Sequence, residues 1–202
     1  IQMNVARIEK PCPPGQIKIE EAVRKLLEQK DFNSITTAEI ARTSGVNEAL
    51  IYRYFKDKRG LLHHVLASDL EDLVARIGTD IEGVKGSLEK LRRLIRTHMQ
   101  YYSRNRIFAK ILLLEVRNSP AYFESTTYRI VQNYGQMIQG LIEKGMTEGE
   151  IRDDIPPSQI MRMVLGGLEH LCLPGVIFGK EIRAEEYADN LCAVISNGIS
   201  NY

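Results

Sequence analysis

The 202-residue sequence has no tryptophan, three cysteines and almost no net charge, with 27 Lys+Arg against 26 Asp+Glu. Cys12, Cys172 and Cys192 form no CxxC pair and leave an odd count, which argues against a disulfide scaffold or a zinc knuckle. Cys172 and Cys192 stand among leucine and valine, where cysteine behaves as a small buried hydrophobe. The four histidines build no HExxH, so no metal site is expected. There is no GxxxxGK[ST], no GxGxxG and no GxSxG. Phosphate-cradling loops, dinucleotide folds and nucleophile elbows are therefore unsupported, and the expectation is a non-enzyme without a cofactor. No apolar run reaches the ~20 uninterrupted residues of a membrane span, and residues 1–14 lack the apolar core of a signal peptide. A cytoplasmic globular protein is what these absences leave.

What the sequence does contain is helical periodicity almost throughout. After a Pro-rich stretch, Ile19, Ala22, Val23, Leu26 and Leu27 follow the i, i+3, i+4, i+7, i+8 stripe of an amphipathic helix. Residues 36–62 are more sharply punctuated. Thr36 and Glu39 have capping-box spacing, Gly45 permits a turn, and Asn47 and Asp57 offer two further helix starts. Two short helices joined by such a turn make a helix-turn-helix, with Ile40, Ala41, Val46, Ile51 and Phe55 as its apolar skeleton. Glu48, Ala49, Tyr52 and Arg53 fall on the opposite face of the second helix and suit a DNA major groove. The same pattern is met by a plain αα-corner in which Tyr52 and Tyr54 pack. Charge is also uneven: residues 1–62 carry a net +3 and residues 63–202 a net −2.

The frame from Thr36 to Leu62 closely resembles the DNA-binding signature of TetR-family transcriptional repressors: an Ile-Ala pair (Ile40, Ala41), Ser44-Gly45-Val46, Tyr52, Tyr54-Phe55, Lys58 and Leu61. The resemblance implies an all-α protein with a three-helix head on a larger helical body. It implies a flexible leader over 1–14, a DNA-binding domain over 15–62, and an effector-binding and dimerisation domain over 63–202. Carried over residue by residue, Thr37, Tyr52, Tyr54 and Lys58 match positions that hold the DNA backbone, which orients a protein without reading sequence. Base readout falls to Asn47, Glu48, Ala49 and Arg53. Leu50 departs from the small or hydroxylated residue usual there, so a leucine would press on a thymine methyl or sugar.

For the body, a helix over residues 87–103, another over 105–117 and a long one from Ser119-Pro120 to about Gly145 are expected, then 158–178 and 184–199. The resemblance implies an effector core for a hydrophobic or amphipathic small molecule, for which His98, Tyr102, Phe108, Leu112, Glu115, Tyr128, Tyr134, Met137, Met161 and His170 are the candidates. The stretch Glu115 to Phe123 resembles family members that respond to fatty-acyl effectors. The helix over 158–178 is apolar nearly all round and needs cover on most sides. Val164, Gly167, Leu168 and Leu171, with Leu191 and Ile195, are the expected homodimer contacts. A twofold dimer would meet a palindromic operator at half-sites ~34 Å apart or more. The alternatives in other classes are an all-α small-molecule carrier or a protein-interaction module without DNA binding.

Overall fold

The computed structural model describes residues 12–200, in which ten α-helices and no β-strand occur; residues 1–11 of the expected leader lie outside the described residues. The chain divides into two compact units at Val65/Leu66. The first holds α1 (Pro14–Gln29), a 3-10 turn (Phe32–Ser34), α2 (Thr37–Ser44), α3 (Ala49–Phe55) and the start of α4 (Lys58–Ile81). Pro14 opens α1 at a position where its missing N–H costs nothing. The predicted α1 stripe is the buried one. It closes over Phe32, Ile35, Ile40, Ile51, Phe55, Leu61 and Leu62, all buried.

Local polar bonds fix where each helix of the head begins. Thr36 Oγ1 accepts the Glu39 N–H at 3.1 Å. Glu39 in turn takes the Lys30 ammonium at 2.6 Å, and that hydrogen bond holds its carboxyl below the usual range. Gly45 ends α2 in the left-handed region at φ 68°. Asn47 Oδ1 accepts the Ala49 N–H at 2.9 Å, and Asp57 Oδ1 accepts the Gly60 N–H at 2.6 Å. Each is worth about 1 kcal/mol to its helix.

The second unit is built round α5 (Ser87–Arg104), which contacts α8 (Thr126–Thr147), α9 (Pro157–Phe178) and α10 (Ala184–Ile199). Leu91, Leu94, Ile95, His98, Met99, Tyr101 and Tyr102 form its buried face. The start of α5 is capped from far along the chain: a Glu150 carboxylate oxygen accepts the Ser87 and Leu88 N–H groups at 2.6 and 3.1 Å. The segment expected as one helix over 105–117 is α6 (Arg106–Lys110) running into a π-turn, Ile111–Glu115. The long helix expected from Pro120 is also broken. A short α7 (Pro120–Phe123) stops, and Ser125 starts α8 by accepting the Tyr128 N–H at 3.1 Å.

By length and composition α9 could cross a membrane, with a mean hydropathy of 1.4 over its best window. It is nonetheless interrupted by Arg162 and Glu169.

Candidate DNA interface and effector core

In the head, Asn47, Ala49, Tyr52 and Arg53 are exposed, and Thr37, Glu48 and Tyr54 are half-buried. The Tyr52 hydroxyl stands 3.3 Å from Thr37 Oγ1, so two hydroxyls from α2 and α3 meet at one point on the surface. Two neighbouring hydroxyls can both donate to one phosphate oxygen. Arg42, Arg53 and Lys56 add exposed cations. Asn47 is partly committed, because its side-chain oxygen caps α3 and only its amide N–H₂ is left for a base. Leu50 and Tyr54 lie beside Gly15 at the start of α1, with Leu50 Cδ1 3.5 Å from where a Cβ on Gly15 would stand. Leu50 is thus half-buried, with part of its side chain packed where α3 meets the start of α1.

Lys58 is half-buried and held within the head. Its ammonium donates to the carbonyls of Phe32 and Ile35 at 2.9 and 2.6 Å and sits 4.3 Å from the Phe32 ring centroid. A lysine with two backbone acceptors and an aromatic face is a brace that ties the start of α4 to the turn before α2.

In the body, the expected effector residues do not form one cluster. His98, Tyr102, Phe108 and Tyr134 come together. The His98 ring meets Tyr102 edge-on at 4.5 Å, its Nδ1 lies 2.8 Å from the Tyr134 hydroxyl, and Tyr102 and Phe108 are 5.7 Å apart. Leu112 and Glu115 are buried on the π-turn. Met161, half-buried on α9, lies 3.7 Å from where a Cβ on Gly135 would stand, and Met137 is half-buried on α8. Tyr128 belongs to a second aromatic group, with Tyr122 and Phe123 at 5.3 and 5.2 Å. His170 is exposed and does not line the core with the other candidates. One helical step of ~100° separates it from Glu169, whose carboxylate turns to the body instead.

That Glu169 makes a bidentate pair with Arg117 at 2.6 and 2.7 Å, joining the segment after the π-turn to α9. Sequence reasoning missed the pair, although a lone carboxylate in an otherwise apolar stretch signals a partner. Burial drives the His98 imidazole down to about 3, so it is neutral, and pushes the Cys172 thiol up to about 12. A surface cleft of about 470 Å³ lies between α4 and α5, lined by Arg76, Asp80, Thr97, Gln100 and Arg104 among others. None of the expected effector residues lines it, and its polar walls do not suit an apolar molecule.

The expected dimer contacts are mostly turned inward. Val164, Leu168 and Ile195 are buried within the chain. Gly167 serves α10 of the same chain: a Cβ there would stand 2.7 Å from Leu191 Cδ1. Leu171 and Leu191 are half-buried. α9 leaves Met163 (62 %), Gly166, His170, Ile177 and Phe178 (70 %) exposed together with Gln159, Arg162 and Pro174, and the large apolar residue that α10 leaves exposed is Val194 (71 %). Met163, His170 and Ile177 recur every seventh residue, the repeat of a helix seam. The helix is apolar on every face, so its composition could not reveal which stripe points outward.

A family model for the N-terminal region of "Bacterial regulatory proteins, tetR family" matches residues 19–65, and one for the "YsiA-like protein, C-terminal region" matches residues 66–198. The chain is 21% identical over 188 residues to the fatty acid metabolism regulator protein of Bacillus subtilis, covering 93% of this chain and 97% of that protein. It is 27% identical over 188 residues to the nucleoid occlusion factor SlmA of Vibrio campbellii, covering 88% and 94%. The fold is that of the transcriptional regulator FadR from Bacillus subtilis, solved in complex with stearoyl-CoA, at a TM-score of 0.82 and 21% identity over 91% of this chain and 98% of that one. With a head and a body each matched over nearly its whole length, the chain belongs to the TetR family of DNA-binding transcriptional regulators.

Proposed function

We propose that the chain acts in the cytoplasm, without catalysis, as a homodimeric repressor of a palindromic operator, released by a long-chain acyl-CoA or a similar amphipathic effector. The observation that carries the DNA reading is the exposed face of α3, where the paired hydroxyls of Thr37 and Tyr52 sit beside Arg53 and Ala49. In this reading Thr37, Tyr52 and Tyr54 hold phosphates, and Ala49, Arg53, Glu48 and the Asn47 amide read bases. The effector class rests on two supports: a relative that is a fatty acid metabolism regulator, and a structure of the same fold that was solved with stearoyl-CoA. The aromatic and sulfur-rich core round His98 offers an acyl chain a compatible lining.

The dimer reading rests on the uncovered seam of α9 and α10. A second copy laying Met163, Gly166, Ile177 and Val194 against their mates would bury it and form a four-helix bundle. This accounts for the apolar length of α9 better than a membrane does, because Glu169 is locked to Arg117 in the body. Release follows from linkage: an effector lowers DNA affinity only as far as it binds the DNA-incompetent state more tightly. Helix α4 belongs to both units, so a shift of its body portion is carried to the head along one continuous helix.

Fluorescence anisotropy against DNA upstream of the gene, at several salt concentrations, tests the reading. Binding over competitor DNA that weakens steeply with salt, and that palmitoyl-CoA reverses, is expected. Binding unaffected by any acyl-CoA would remove the effector class and leave the DNA reading intact.

A further inference from the structure

Only one of the two ring nitrogens of His98 has a partner. The residue is 3% exposed, Nδ1 bonds the Tyr134 hydroxyl at 2.8 Å, and Nε2 meets no hydrogen-bonding group of the described protein. Buried polar atoms are rarely left so, since an unmet donor or acceptor costs its full desolvation. The partner decides what Nε2 is. Burial holds the Tyr134 phenol well above its ordinary value, so it keeps a proton that it can donate to Nδ1. The imidazole is neutral, and its remaining proton then sits on Nε2. The result is an N–H donor, fixed in orientation by Tyr134 on α8 and by the edge-on ring of Tyr102.

We propose that His98 Nε2 is the recognition point for an acyl carbonyl oxygen, bound in the body core between α5, α8 and α9. The proposal rests on the acyl-effector reading above and sharpens it, because it names the atom of the ligand that the body reads. A neutral donor in a dry site suits a neutral acceptor such as a thioester carbonyl. A free carboxylate would bring a charge that this core does not balance. The surroundings can yield to a chain. Met161 fills the space beside Gly135, and the Cys172 thiol rests on the Met99 sulfur at 3.3 Å. Unbranched methionines rearrange more readily than β-branched or aromatic residues. An alkyl chain could therefore enter where these sulfurs pack, while the His98–Tyr134 pair keeps its position.

The test compares three probes by calorimetric titration of the full chain: palmitoyl-CoA, palmitate, and S-hexadecyl-CoA, which has the chain and the nucleotide but no thioester carbonyl. Palmitoyl-CoA is expected to bind roughly 10- to 100-fold tighter than S-hexadecyl-CoA, the range for one buried hydrogen bond. His98→Leu should abolish that ratio by weakening palmitoyl-CoA alone, and His98→Gln, which restores an N–H, should recover part of it. If His98→Leu does not fold, Tyr134→Phe gives the same reading: it preserves the core's shape but frees the tautomer, and the ratio should shrink. Palmitate as tight as palmitoyl-CoA would overturn the assignment of Nε2 to a neutral carbonyl, since the free acid brings a charged carboxylate instead. Equal affinity of the wild type for palmitoyl-CoA and S-hexadecyl-CoA would overturn the proposal, as would a ratio that survives His98→Leu. Failure of all three probes to bind would overturn the acyl-effector reading itself, and this proposal with it.

Discussion

Head and body are both helical, yet they are specified in different ways. The head's helices are short, and their ends are set by named polar bonds: Thr36 on Glu39, Asn47 on Ala49, Asp57 on Gly60, and Lys58 across to Phe32 and Ile35. Those bonds lie mostly within three residues along the chain, so the geometry of α2 and α3 follows from local chemistry. The body's helices run 16 to 24 residues where they are long, and their placement depends on packing and on distant partners such as Glu150 on Ser87 or Glu169 on Arg117. A surface that must hold a fixed shape against DNA is built from short-range polar bonds. A core that must admit a ligand relies on apolar contacts that can be rearranged.

The largest effect that would test this division is on assembly. Met163→Asp with Val194→Asp places charges on the exposed seam of α9 and α10, and is expected to convert dimer to monomer by light scattering. Operator affinity should fall beyond detection while circular dichroism stays helical. A variant that remained dimeric would place the interface elsewhere. Next, Tyr52→Ala with Arg53→Ala should cost roughly 10- to 1,000-fold in operator affinity by anisotropy, as loss of a phosphate and a base contact would. Melting temperature and dimer mass should not change.

Lys58→Met separates the units energetically. It leaves two backbone carbonyls without their charged donor, and about 2 kcal/mol of head stability should be lost. Hydrogen exchange should quicken in α2 and α3 and remain slow in α5 and α8. Uniform quickening would mean the two units unfold as one. The smallest effect is a pH dependence. The His98 pKa is lowered by burial from 6.5 to about 3, so the unfolded chain takes up a proton that the folded body refuses. Stability is then full above pH 6.5 and declines as pH falls through the window from 6.5 to 3. Between pH 7 and 5.5 the body should lose about 1 kcal/mol by chemical denaturation, and His98→Gln should flatten the curve.

The same contrast explains what could be read from the sequence. The capping box, Gly45 and Asp57 carry their signal in residue identity and spacing, so the head was legible almost to the residue. Lys58 was legible as important but not as a brace, because the carbonyls it binds are more than twenty residues away. In the body, helix existence was plain from the stripes, but two interruptions were not. The π-turn leaves no compositional trace. The break before Ser125 is hidden by apolar spacing that continues through Tyr122, Phe123, Tyr128 and Ile130. The outward stripe of α9 was illegible for a different reason: amphipathicity identifies a face only when the opposite face is polar. His98 could be singled out as a polar residue on an apolar face, but only its placement against Tyr134 shows which nitrogen is left over.

The contact between Gly167 and Leu191 carries a consequence for how this protein can vary. A Cβ at 167 would displace the tip of the Leu191 side chain, so the two positions compete for one volume. A larger residue at 167 becomes tolerable only where 191 has shrunk, and aligned relatives should therefore show these two positions changing together, as a correlated pair of sizes rather than as two invariant residues.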